Sequence, residues 1–152
     1  MDVVASEGKV TVYTKDNVIV NCQGKGTLTI GKNIKEISLA KYIKSGKASV
    51  TEFKVASGNK YFTVIDGVLF SKDKSQLVSY PDAKEVTSYT VKADVQSISE
   101  DAVAYNKYLK SVTIPKSVNT IGNYAFQNCA KLESVICKAD ISSIYGTFYN
   151  CK

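Results

Sequence analysis

The sequence predicts an α/β repeat solenoid in which short parallel strands alternate with short helical turns and one β-hairpin is inserted. Three observations predict it. Toward the C-terminus the chain repeats at a period of 23 residues: Leu109 and Leu132, Val112 and Val135, Ile114 and Cys137, Val118 and Ile141, Ile121 and Ile144. The pairs Phe126 and Phe148, Cys129 and Cys151 are spaced 22 apart, so the last copy is one residue shorter. The same period runs upstream, with Tyr89, Val91, Val95, Ile98 and Val103 each 23 before Val112, Ile114, Val118, Ile121 and Phe126. The anchors Ile30, Val55, Val91, Ile114 and Cys137 are therefore spaced 25, 36, 23 and 23, and an insertion of about 13 residues falls inside the longest interval. A fixed period of this size is the signature of stacked units, each too small to bury its apolar side alone.

The elements follow in order. Residues 1–27 are expected to be an N-terminal capping hairpin and lead-in. In "VTVYTKDNVIVNC", Val10 and Val12 alternate, Lys15-Asp16-Asn17 is a turn signal, and Val18 to Val20 return. A solenoid end needs such a cover. Residues 28–152 are expected to hold about five units, with strands near 28–30, 53–55, 89–91, 112–114 and 135–137. "SLAKYIKSG" reads as a short helix with Ser38 as candidate cap and Gly46 just past its end. The insertion at 61–80 contains "YFTVID", "GVLF" and "QLVSY" and is expected to be a hairpin or three-strand meander standing off the stack. "SISEDAVAY" reads as a helical turn, with Ser97 or Ser99 as cap and Glu100 and Asp101 in the first turn. "LKSVTI" alternates Val112 and Ile114 inward with Ser111 and Thr113 outward, and Pro115 ends that strand. "IGNYAFQNC" is then a short helical turn packing Ala125 and Phe126.

"SVTIPKSVNTIGNYAFQNCAKLESV" resembles the BspA-like leucine-rich repeats, a bacterial and protozoan surface family, and "VIDGVLFSKD" resembles a hairpin unit common among them. The resemblance is strong over 84–151, good over 50–83, weak over 28–49 and absent from 1–27. It implies a leucine-rich repeat solenoid and a secreted or cell-surface location. The last copy departs from the pattern: Cys137 replaces the strand isoleucine, and "KADISSIYGTF" has no I-P or I-G pair.

Composition narrows the function classes. The 152 residues form one domain with 44% hydrophobic residues, and no apolar run approaches the roughly 18 needed to cross a membrane as a helix. "MDVVASEGKV" lacks the regions of a signal peptide, so the chain reads either as cytoplasmic or as a mature chain with an added Met, and the family resemblance implies the second. No N-x-[ST] sequon occurs. The net charge of +6 comes from twenty lysines without an arginine, spread along the chain with no run of three. Arginine is the residue of choice for bidentate base and phosphate contacts, so a solvated lysine-rich surface is expected and a nucleic-acid partner is not.

The four cysteines, Cys22, Cys129, Cys137 and Cys151, form no C-x-x-C, and there is no histidine to complete a zinc site. Cys129 and Cys151 occupy the same repeat position; they read as core thiols or as a bridge between stacked copies. Without histidine there is no Ser-His-Asp triad or Cys-His pair, and no phosphate-binding glycine loop appears. Glu100 with Asp101 reads as a first-turn acid pair, and Asp66-Gly67 as a turn. No enzyme activity, metal or cofactor is expected.

What remains is surface. The outward column after the first core residue of each strand is Thr29, Lys54, Thr90, Thr113 and Ile136; the column before it is Thr27, Glu52, Ser88, Ser111 and Ser134. This small-polar ladder is either a solvated sheet face or a concave docking surface. Tyr61, Tyr80, Tyr105 and Tyr108 read either as exposed aromatics that could anchor a partner or, as is commoner, as rings that cover the edges of a core. The family resemblance implies a non-catalytic binding or adhesion module contacting host or neighbouring-cell proteins or glycans; the alternative is a structural spacer in a larger surface protein. After Cys151 only Lys152 remains where the pattern calls for another strand. The C-terminal face is therefore expected to be a truncation point or a self-association surface beside Ile136.

Overall fold

The computed structural model describes residues 2–3, 10–142 and 144–152. Most of the expected lead-in over 1–9 lies outside the described residues. Strands β1 (Asp2–Val3), β2 (Thr11–Lys15), β3 (Val18–Ile30) and β4 (Ala48–Val55) form one sheet in the order β1-β2-β3-β4. The β2–β3 hairpin turns on Asp16 and Asn17, whose φ values of 51° and 62° make the two-residue turn that matches strand twist. β3 runs unbroken through the boundary expected between 27 and 28. β4 then joins it in parallel, with Leu28 opposite Phe53 and Ile30 opposite Val55, so the 25-residue spacing becomes one step across a sheet.

Between β3 and β4 lies α1 (Ala40–Lys44), the one α-helix among the described residues. Its N-cap is Leu39, with no side-chain cap hydrogen bond, so Ser38 does not cap it. Gly46, at φ 74°, follows the end as expected.

The insertion forms a meander of β5 (Phe62–Ile65), β6 (Val68–Ser71) and β7 (Gln76–Ser79). It does not stand off the stack. β7 pairs in parallel with β9 (Ser97–Ile98), which pairs with β11 (Thr120–Ile121), in a sheet ordered β11-β9-β7-β6-β5. The reason is that the meander is apolar on both faces, as a doubly covered strand must be. Phe62 and Leu69 join the N-terminal core with Val10, Cys22, Leu28 and Phe53. Val68, Phe70 and Leu77 join the repeat core with Val91, Ile114 and Phe126. The meander is thus the wall between two hydrophobic cores.

The repeat proper is a three-sided coil. One side is the parallel sheet of β8 (Ser88–Thr90), β10 (Ser111–Ile114) and β12 (Ser134–Cys137). Ile114 lies opposite Cys137, and the Val91 N–H donates to Thr113 O, so the anchors stack at the 23-residue period. The second side is β7, β9 and β11. The third is not helical, contrary to the expected α/β alternation. Asp101 and Tyr105, Tyr124 and Asn128, Gly146 and Asn150 all have positive φ. A left-handed residue every fourth position forbids the continuous right-handed run that a helix needs. The amides are used across coils instead. Asp101, Val103 and Tyr105 donate to the carbonyls of Asn123, Ala125 and Gln127; Tyr124, Phe126 and Asn128 donate to those of Tyr145, Thr147 and Tyr149. Ser97 and Ser99 therefore cap no helix, and Glu100 and Asp101 occupy turns. Inside, the rings of Phe126 and Phe148 stack 5.4 Å apart.

Candidate functional site

The two outward columns divide into a pair and a triplet. Register places Ser88, Ser111 and Ser134 in one row, and Thr90, Thr113 and Ile136 in the next, all on the β8–β10–β12 sheet. The Ser111 hydroxyl donates to Ser88 Oγ at 3.1 Å. Thr27 pairs with Glu52, and Thr29 with Lys54, on the separate β3–β4 sheet. There the Thr27 hydroxyl donates to Glu52 Oε1 at 3.1 Å, and Lys54 Nζ lies 3.8 Å from the same oxygen. The Asp66–Gly67 turn stands where a middle strand would continue the column: the Phe53 N–H donates to Gly67 O, and Lys92, just after β8, pairs with Asp66 at 3.3 Å. The 36-residue interval therefore interrupts the ladder. In the triplet, the serine row runs over all three coils, while in the threonine row the exposed Ile136 takes the third place.

The expected tyrosine anchors do not share one surface. Tyr61 is exposed, while Tyr105 and Tyr108 are half-buried. Tyr80 is buried, contrary to the anchor reading: its ring packs 4.7 Å from Tyr89 inside the repeat core. That burial pushes its phenol up to about 12. A different set is exposed. Tyr145 and Tyr149 are each 63% accessible and both meet Tyr124 edge to face, at 5.5 and 6.4 Å between ring centres. A hydrogen bond with the Tyr145 hydroxyl raises the Tyr124 phenol above its ordinary value. Gly146 makes room for this: a Cβ there would meet Tyr124 Cε1 at 2.5 Å.

Cys129 and Cys151 are thiols that serve the stack. Cys129 Sγ donates to Val103 O at 3.2 Å and Cys151 Sγ to Phe126 O at 2.9 Å, each one coil back. Subtracting 23 from Cys129 gives Asn106, which the sequence reading overlooked. Asn106 is fully buried; its amide donates to Pro81 O, and its Oδ1 accepts the N–H groups of Tyr108 and Leu109. Asn59 does the same for Gly31 O, Ile34 O and the N–H groups of Tyr61 and Phe62. The signal was available as "NKYF" at 59–62 and "NKYL" at 106–109. An asparagine or cysteine at such a position is part of leucine-rich repeat consensus patterns.

Lys107 Nζ also lies 3.0 Å from Ser49 Oγ. That hydroxyl is buried, and it donates to Asp82 rather than facing a cleft. Among the described residues no group of three or more histidine, cysteine or acidic side chains could hold a metal ion. None of the helices there is long and apolar enough to cross a membrane.

The 23-residue coil, its parallel ladders and its asparagine or cysteine position agree with a family model described as a BspA type leucine rich repeat region, which matches residues 79–152 in six copies. Residues 79–152 are BspA-type leucine-rich repeats. Three bacterial crystal structures share the architecture. The pneumococcal vaccine antigen PcpA is 30% identical with a TM-score of 0.60, over 79% of this chain and 28% of that one. A leucine-rich repeat protein from Eubacterium ventriosum is 23% identical with a TM-score of 0.61, over 82% of this chain and 39% of that one. A leucine rich cell surface protein from Faecalibacterium prausnitzii is 22% identical with a TM-score of 0.63, over 82% of this chain and 33% of that one. The chain thus spans 28% to 39% of the length of these three proteins. A search of curated proteins finds no match.

Proposed function

We propose that the chain is a non-catalytic binding module of a secreted or cell-surface repeat protein, and that the β8–β10–β12 face is its docking surface for protein. The observation that carries this reading is the pair of registered rows, Ser88–Ser111–Ser134 and Thr90–Thr113–Ile136. Short hydroxyl side chains on a rigid sheet lose little conformational entropy on binding and offer both donors and acceptors. Ile136 supplies an apolar contact at the edge of the patch. The description of the Faecalibacterium prausnitzii neighbour as a leucine rich cell surface protein supports the location. The partner class is a host or neighbouring-cell surface protein. Thr29, Lys54, Thr27 and Glu52 form a second, charged patch on the other side of the Asp66–Gly67 turn.

The test is an array of extracellular-matrix and cell-surface proteins probed with wild type and with a Ser111→Arg, Thr113→Arg double variant. Both positions are half-exposed, so the variant is expected to fold, which a melting curve checks. The expected result is capture by at least one protein that the double variant loses. No capture across the array favours the structural spacer, and equal capture by the variant moves the site away from this face.

A further inference from the structure

The third side of the coil, built from turns, carries a surface unlike the rest of the molecule. The chain has twenty lysines, yet none lies between Lys116 and Lys131 or between Lys138 and Lys152. Those two stretches lie side by side in the turn ladder, where Tyr124, Phe126 and Asn128 donate to Tyr145, Thr147 and Tyr149. The lysine-free strip presents tyrosines and amides.

The tyrosines are held before any ligand arrives. Tyr145 and Tyr149 each pack edge-on against Tyr124, at 78° and 87° between ring planes, and both remain 63% accessible. Edge-to-face packing fixes a ring while leaving a broad face free. Beside them runs a chain of amides. Asn150 Nδ2 donates to Asn128 Oδ1 at 2.5 Å, Asn128 Nδ2 to Gln127 Oε1 at 3.3 Å, and Gln127 Nε2 to Asp101 Oδ1 at 2.6 Å. Each link uses one donor or acceptor, and an amide carries two N–H groups and two lone pairs. Asn128 spends its second N–H on the Tyr105 phenol, so the second N–H of Asn150 and of Gln127, the second lone pair of Asn128 Oδ1 and the second Asp101 oxygen remain to meet ligand hydroxyls.

We propose that this tyrosine–amide strip binds a neutral oligosaccharide, with pyranose rings stacked on Tyr145 and Tyr149 and their hydroxyls held by Asn128, Asn150 and Asp101. The chemistry selects the class. An aromatic face meets the C–H face of a sugar ring, and planar amides and a carboxylate pair with vicinal hydroxyls. Tyrosine gives contact area at low entropy cost and asparagine gives adaptable hydrogen bonds. Absence of lysine from the strip removes the attraction that an anionic polysaccharide would need. The inference rests on reading the chain as a binding module, but on a different face from the hydroxyl rows.

The experiment is saturation-transfer-difference NMR with four neutral tetrasaccharides, of β-1,3-glucose, mannose, galactose and N-acetylglucosamine, and with a heparin tetrasaccharide as the anionic control. Transfer to ring C–H protons of at least one neutral probe is expected, with none to heparin. Tyr145→Ala and Tyr149→Ala should each weaken binding about tenfold, which corresponds to the upper end of the ~0.5–1.5 kcal/mol that an aromatic contact contributes. Asn150→Ala, an exposed position, tests the amide chain if either tyrosine variant lowers the melting temperature. Transfer to no neutral probe, transfer to heparin alone, or binding unchanged by all three variants overturns the proposal. The Ser111→Arg, Thr113→Arg variant should bind the sugar as wild type does. Failure here with protein capture intact therefore leaves the hydroxyl-face reading standing, and the reverse result leaves this one.

Discussion

Lys107 Nζ lies 3.1 Å from Asp82 Oδ2, and that contact joins the two cores. Asp82 is fully buried; its other oxygen accepts the Val50 N–H at 2.6 Å, and Ser49 Oγ donates to Oδ2. Val50 belongs to the N-terminal core, and Lys107 is in the coil whose Leu109 is part of the repeat core. Lys107 is half-exposed and can turn to water, so the loss of Asp82 is felt by the buried Val50 N–H and Ser49 hydroxyl, each left unpaired at a cost of about 1–3 kcal/mol. Asp82→Ala should show both losses in urea denaturation. The single unfolding transition should also split, because the node between the cores is gone. A loss below about 1 kcal/mol with a single transition would show that the meander alone couples the cores.

Asn106→Ala should destabilise more than its small volume suggests. It orphans Pro81 O and the N–H groups of Tyr108 and Leu109, each at roughly 1–3 kcal/mol when buried. Asn106→Cys, which copies Cys129 one coil on, should recover little. A thiol can make one bond back to the preceding coil but cannot accept two amides. Equal stability of the cysteine variant and wild type in guanidinium melts would contradict this account.

The period was legible because stacked units must repeat their inward residues: Val91, Ile114 and Cys137 align as their spacing requires. The turns were not legible as turns. "IGNYAFQNC" has the composition of a short helix, and Tyr124 carries no visible mark of positive φ. Its conformation is set by the neighbouring coil, whose carbonyls take the amides that a helix would use. The meander was misplaced for a related reason. The apolar run in "GVLF" reads as a strand, but it does not say that Leu69 and Phe70 face different cores. The tyrosine strip is visible in sequence only as a gap in the lysines, and only stacking places Tyr124 beside Tyr145 and Tyr149.

Alkali should unfold the protein earlier than its composition alone implies. Burial, with a smaller contribution from Asp82, pushes the Cys22 thiol up to about 12; burial, then Cys151, does the same for Cys129; burial raises Tyr80 to about 12. Unfolded thiols titrate near ~8.5 and phenols near ~10, so the unfolded chain gives up protons that the fold retains. Stability is therefore fully present below about pH 8.5 and falls as pH rises toward 12. Urea midpoints at pH 8 and pH 11 measure it. Cys22→Ala should show a smaller drop than wild type, and an equal drop would remove Cys22 from the explanation.

Gly122 sets the distance between two coils. Its N–H donates to Ile98 O at 2.7 Å, and a Cβ there would clash with Glu100 N and sit 2.6 Å from Ser99 C. These are main-chain atoms of the preceding coil, so no side chain can rotate away to relieve the contact. Gly122→Ala must push the β9–β11 ladder apart, breaking its parallel pairing and loosening Ile98 and Ile121. Gly46→Ala is the informative comparison. Gly46 has a positive φ but open space around it, so alanine meets backbone strain there and no clash. Strain of that kind costs about 1–2 kcal/mol. Gly122→Ala should exceed it clearly, and hydrogen exchange should speed at the Gly122 amide, and not at that of Ser111 on the opposite ladder. If the two alanine variants melt together, or if exchange rises on both ladders alike, the close approach at Gly122 does not fix the coil spacing.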